Sequence, residues 1–93
     1  MVHFLVHKPI DHVGVAVKDL KKGETAFGRC LETNQEYRVF VLEDIPLGHK
    51  IALKDIEKGE HVIEYGEKIG FALQHIPKGS HVHIHNLRSL RWG

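Results

Sequence analysis

Ile51-Ala52-Leu53-Lys54-Asp55-Ile56-Glu57-Lys58-Gly59-Glu60 decides how this chain folds, because its pattern returns elsewhere without gaps. Val15-Ala16-Val17-Lys18-Asp19-Leu20-Lys21-Lys22-Gly23-Glu24 matches it, as does Phe71-Ala72-Leu73-Gln74-His75-Ile76-Pro77-Lys78-Gly79-Ser80. Phe40-Val41-Leu42-Glu43-Asp44-Ile45-Pro46-Leu47-Gly48-His49 is a fainter copy. Each reads as a short apolar strand, an acidic or polar residue, one apolar anchor, two exposed residues, then glycine and a polar residue opening the next strand. That is a corner. The Asp, or His75 in its place, can hydrogen-bond the backbone two residues on, Pro46 and Pro77 suit early turn positions, and glycine supplies a positive φ without steric cost. The corner glycines fall at 23, 48, 59 and 79, a spacing too irregular for a solenoid of equal units. One domain using the same corner four times is expected.

Outward from the corners the composition stays strand-like. Thr25 to Leu31 and Glu36 to Leu42 flank Glu32-Thr33-Asn34-Gln35, a hairpin with Asn34 near its tip. Val62 to Gly70 holds β-branched and aromatic residues with two glycines, which predicts a bent strand pair turning tightly at Gly66. His81-Val82-His83-Ile84-His85 alternates with period two and predicts a strand whose imidazoles share one face while Val82 and Ile84 face the core. No window of about 11 residues keeps a 3.6 period, so the fold class is all-β with at most single helical turns. Tyr65 is expected to pack, and Cys30 to be a buried, inert thiol.

Length and composition narrow the function. A chain of 93 residues supports one core. Its 42% hydrophobic and 27% charged residues exclude a disordered chain, and its apolar runs fall far short of the ~20 residues of a membrane span. No signal peptide is visible at Met1-Val2-His3-Phe4-Leu5-Val6, so a cytoplasmic location is expected. A net charge of +1 gives no mandate for nucleic acid or an anionic membrane, and a single cysteine excludes an intrachain disulfide. The oddity is nine histidines.

Three imidazoles in line at His81, His83 and His85 can contribute a His-x-His pair to a metal, a third protein ligand coming from elsewhere. The bland alternative is a solvated strand face. His49, placed after a corner, is suited to proton transfer near neutral pH, and Lys50 beside it offers a cation for a carboxylate. An exposed polar pair on a turn is the competing account. His3, His7, His12, His61 and His75 are weaker signals. The tail over 88–93, with Trp92 beside Arg91, has the composition of an interface anchor or of a frayed end.

Asp11 to Val17, Asp44 to Ile56, Lys58-Gly59-Glu60, Tyr65-Gly66 and His81 to Leu87 together resemble the amino-terminal SAF domain of altronate and galactarate dehydratases. The small α-subunit of (2R)-sulfolactate sulfo-lyase is similar too. The resemblance implies a β-clip fold for one SAF domain over 1–93, with its core about 8–87. It also implies β-elimination from a hydroxy acid. Because the large catalytic domain of the fused dehydratases is missing from a chain that stops at Gly93, a split enzyme is expected, with a separate large subunit docking near Leu90, Arg91 and Trp92. Within it, His49 is assigned proton transfer, Lys50 and Asn86 the sugar-acid substrate, and His83 and His85 a divalent metal, whether iron, manganese or zinc, shared with the large subunit. His12, where the family commonly has Asn, is given no function. A sulfo-lyase small subunit, a SAF-type binding module for a sugar acid or a protein, and a histidine-rich metal-binding protein stand as alternatives; a homo-oligomer is compatible with each.

Overall fold

The computed structural model of the chain describes residues 1–90, and every regular element among them is a strand. β1 (Phe4–Val6), β2 (Val13–Ala16), β3 (Thr25–Cys30), β4 (Glu36–Phe40), β5 (Lys50–Ala52) and β8 (His81–Val82) form one sheet in the order β4-β3-β1-β2-β5-β8. β6 (His61–Glu64), β7 (Glu67–Ala72) and β9 (Leu87–Ser89) form a second in the order β6-β7-β9. The pairs are antiparallel except β1 with β3, which run parallel. This is the all-β class expected, and no described helix is long and apolar enough to cross a membrane.

The corners occur in pairs. Leu20 and Ile45 exchange both backbone hydrogen bonds at 2.8 Å, and Ile56 and Ile76 do the same at 2.8 and 2.7 Å. All four anchors are fully buried. The corner aspartates do not bond their own turns as expected. Each reaches across the pair: Asp19 Oδ1 accepts from Leu47 N at 2.9 Å, Asp44 Oδ1 from Lys22 N at 2.9 Å, and Asp55 Oδ1 from Lys78 N at 2.7 Å. His75, at the fourth position, instead turns Nδ1 to Glu57 Oε1 at 3.2 Å. The corner glycines all have φ between 85° and 94°. Only at Gly79 is the space also closed, since a Cβ there would lie 2.1 Å from the Phe40 carbonyl oxygen.

Two clusters form the interior, one around Leu20 and Ile45, the other around Ile56 and Ile76. β2 and β5 feed both: Ala16 and Ile51 belong to the first, Val13 and Ala52 to the second. Phe4 and Val6 of β1 are fully buried in the first cluster. Cys30 is buried as expected.

The turns at Asn34 (φ 62°) and at Tyr65-Gly66 (φ 58° and 74°) stand where the sequence puts them, and β6 carries a register shift between Val62 and Ile63 that bends the pair. Tyr65 is 57% exposed and packs only one ring face. The strand expected over residues 81–85 ends at Val82. Asn86 Oδ1 captures the His83 N–H at 2.9 Å and the chain turns, leaving Ile84 81% exposed instead of in the core. Leu90 is exposed; Arg91 and Trp92 of the docking tail lie outside the described residues.

Candidate functional site: a histidine cluster beside a buried acid

The corners explain why one histidine is free to act. After the first and third corners, Glu24 Oε1 and Glu60 Oε1 fold back to accept the N–H of the residue three positions earlier, Lys21 at 2.8 Å and Glu57 at 2.9 Å. In the other two corners that residue is Pro46 or Pro77, which has no N–H to offer. The side chains at the matching positions, His49 and Ser80, are released from this duty.

His49 uses its freedom to meet two rings from β8 and the turn after it. β5 and β8 pair Lys50 with Val82 and Ile51 with His81, and continuing that register sets His49 opposite His83. His49 Nδ1 lies 2.8 Å from His81 Nε2, one ring donating and the other accepting, and stacks on His83 with centroids 4.3 Å apart. Ligating nitrogens of His49, His81 and His83 all lie within 4.8 Å of one another, so the three could hold one metal ion. Nitrogens at ~2.0–2.1 Å from a tetrahedral ion sit about 3.3 Å apart, so small ring rotations suffice. All three are half-buried. Burial, reinforced by the neighbouring imidazoles, lowers the proton affinity of both His81 and His83. That favours the neutral form, which is the form that ligates.

The structure groups His83 with His49 and His81 and places the expected partner His85 in a second group. His85 is exposed and groups with Glu43 and His81, which also lie mutually within 4.8 Å. His81, to which the sequence reading assigned no role of its own, is common to both groups. The i, i+2, i+4 spacing contained it from the start and gave no ground for ranking it below its neighbours. Asn86 is 3% exposed, and its amide is committed to the chain: Oδ1 accepts from His83 N and Nδ2 donates to the His81 carbonyl at 2.8 Å. It builds the turn that presents His83 rather than facing outward.

Lys50 lines a cavity of ≈ 550 Å³ with Glu64, Tyr65, Lys68, His83 and Ile84. Its Nζ lies 3.6 Å from Oε1 of Glu64, a carboxylate only 4% exposed. Sequence reasoning missed Glu64, although it shares strand parity with buried Val62, the signal for an inward side chain.

Comparison with known proteins adds a lineage to this geometry. The family model described as altronate/galactarate dehydratase SAF domain matches residues 2–90. The chain is 37% identical over 92 residues to (2R)-sulfolactate sulfo-lyase subunit alpha of Chromohalobacter salexigens, covering 98% of each. It is 40% identical over 86 residues to altronate dehydratase of Bacillus subtilis, covering 90% of this chain and 16% of that one. With galactarate dehydratase (L-threo-forming) of Escherichia coli it shares 44% over 72 residues, 75% of this chain and 12% of the relative.

Proposed function

Because the chain belongs to the altronate/galactarate dehydratase SAF domain family, we propose that it works as the small subunit of a split sugar-acid dehydratase, assisting β-elimination of water from a hydroxy acid in the cytoplasm beside a separate large catalytic subunit. The observation that carries this reading is one of proportion. The same unit makes up 98% of a protein named a subunit and 16% of a chain named a dehydratase. The near end-to-end match with the former favours a second reading, a sulfo-lyase small subunit that expels sulfite in place of water.

In this reading His49, His81 and His83 hold a divalent ion, iron, manganese or zinc, at the boundary with the large subunit. When bound, such an ion supplies Lewis-acid stabilisation of the negative charge that develops on a substrate carboxylate. His49 is thereby assigned to ligation in place of proton transfer, since its Nδ1 already faces His81. Lys50 attracts the substrate carboxylate from the cavity wall, and Asn86 holds the turn. The test is reconstitution with the large subunit and assay on altronate, galactarate and sulfolactate. Elimination from one of them supports the reading and names the substrate; failure of the chain to associate with any such subunit removes it.

A further inference from the structure

On the far side of Lys50 stands an assembly that the histidine cluster does not need. We propose, resting on the reading above, that Glu64 is the proton-transferring group of the cavity and that His7 positions it.

Glu64 projects from β6 into the cavity wall with a nitrogen on each flank, Lys50 Nζ at 3.6 Å from Oε1 and His7 Nε2 at 4.0 Å from Oε2. Neither is a short hydrogen bond. The other buried carboxylate differs sharply, since Asp11 accepts the backbone N–H groups of Lys8, Tyr65 and Gly66 at 2.9 to 3.1 Å. His7 Nε2 is itself buried without a hydrogen-bond partner, an arrangement that is ordinarily unfavourable and calls for a reason. Its ring is fixed against Tyr65, centroids 3.7 Å apart and planes 16° apart, because Asp11 clips the loop after β1 to the Tyr65-Gly66 turn. Burial raises the proton affinity of Glu64, while Lys50 and His7 oppose the rise and Asp11 adds to it.

The proton accounting closes. The Glu64 carboxylate takes the proton α to the substrate carboxylate: the C–H bond breaks, an O–H bond forms, and the electron pair moves into the enediolate. As that pair forms the Cα=Cβ bond, the Cβ–O bond breaks and the hydroxyl leaves as water with the proton from Glu64. No oxidant or reductant is required.

In the complex with the large subunit, Glu64→Gln is expected to lower kcat by about 10²–10⁴-fold with little change in KM. His7→Phe, which keeps the stack on Tyr65, is expected to move the acid limb of the kcat/KM profile to higher pH, because it removes the electrostatic influence of the His7 imidazole, which favours ionised Glu64. Retention of kcat within about threefold in Glu64→Gln overturns the inference. Should the wild-type complex be inactive on every substrate, the dehydratase reading fails by itself. Carboxyl NMR of the full chain then decides for Glu64: titration above the ordinary glutamate range that rises further in His7→Phe supports the proton-holding pair, and titration indifferent to His7 overturns it.

Discussion

Two of the four corners end in glutamate and two in His49 or Ser80, yet their backbones are nearly interchangeable. Gly48 donates to Ala16, Gly23 to Val41, Gly59 to Ala72 and Gly79 to Ala52, each at 2.8 to 2.9 Å. The difference lies in one atom. Where the turn has an N–H, a glutamate is held in place capping it; where proline removes the N–H, the side chain is available for other work. The prolines therefore decide whether the side chain at this position caps its own turn.

The most damaging way to probe this likeness is at the glycines. Gly79→Ala is expected to cost about 2 to 5 kcal/mol, combining left-handed backbone strain with collision against the Phe40 carbonyl, whereas Gly59→Ala, with open space around it, costs about 1 to 2 kcal/mol from strain alone. Urea unfolding of the two variants measures the gap; equal costs would mean the corners sit in equivalent surroundings. Next comes conversion of one corner type into the other. Pro46→Lys with His49→Glu restores donor and cap together, so stability is expected to stay within about 1 kcal/mol of the parent, while divalent-ion affinity measured by calorimetry falls about 100-fold or more. His81→Ala produces the same loss of affinity without the repair.

The histidine cluster and the glutamate-capped corner answer to different pH windows. His81 and His83 of the ion-free chain bind protons less readily than the ordinary 6.5, burial being the first cause. As pH falls below 6.5 the unfolded chain takes up protons that the fold refuses, and stability declines. Glu60 is held below its ordinary 4.5, first by the Glu57 backbone N–H, so its contribution is present above 4.5 and lost only as pH falls through the lower folded value. Denaturant midpoints between about pH 3 and 8 should show the first slope flattened by His81→Gln and the second by Glu60→Gln. The gentlest probe is His75→Asp, which supplies the missing cross-pair acceptor for Lys58 N and is expected to stabilise by about 0.5–1.5 kcal/mol, read as a raised unfolding midpoint.

The sequence disclosed what depends on neighbours along the chain. The apolar anchors Leu20, Ile45, Ile56 and Ile76, the left-handed Asn34 and the Gly66 turn are set by local residue chemistry, and each stands where the pattern puts it. What depends on distant partners was hidden. Nothing local says that Asp19 serves Leu47, or that corners pair first with second and third with fourth. Period two over residues 81–85 was misleading because Asn86, outside the alternating run, captures His83 and converts a strand into a turn. His81 joins both groups only when β8 is laid against β5, and Glu64 gains its flanking nitrogens only when Lys50 arrives from β5 and His7 from the loop after β1.

β2 and β5 carry side chains for both hydrophobic clusters, with Ile51 and Ala52 adjacent in sequence yet buried on opposite sides of the same strand. Neither half can therefore open without stripping the other's wall. The protein should exchange its interior amides in one cooperative event, and the imidazoles held where β5 pairs with β8 share the lifetime of that event instead of fraying on their own.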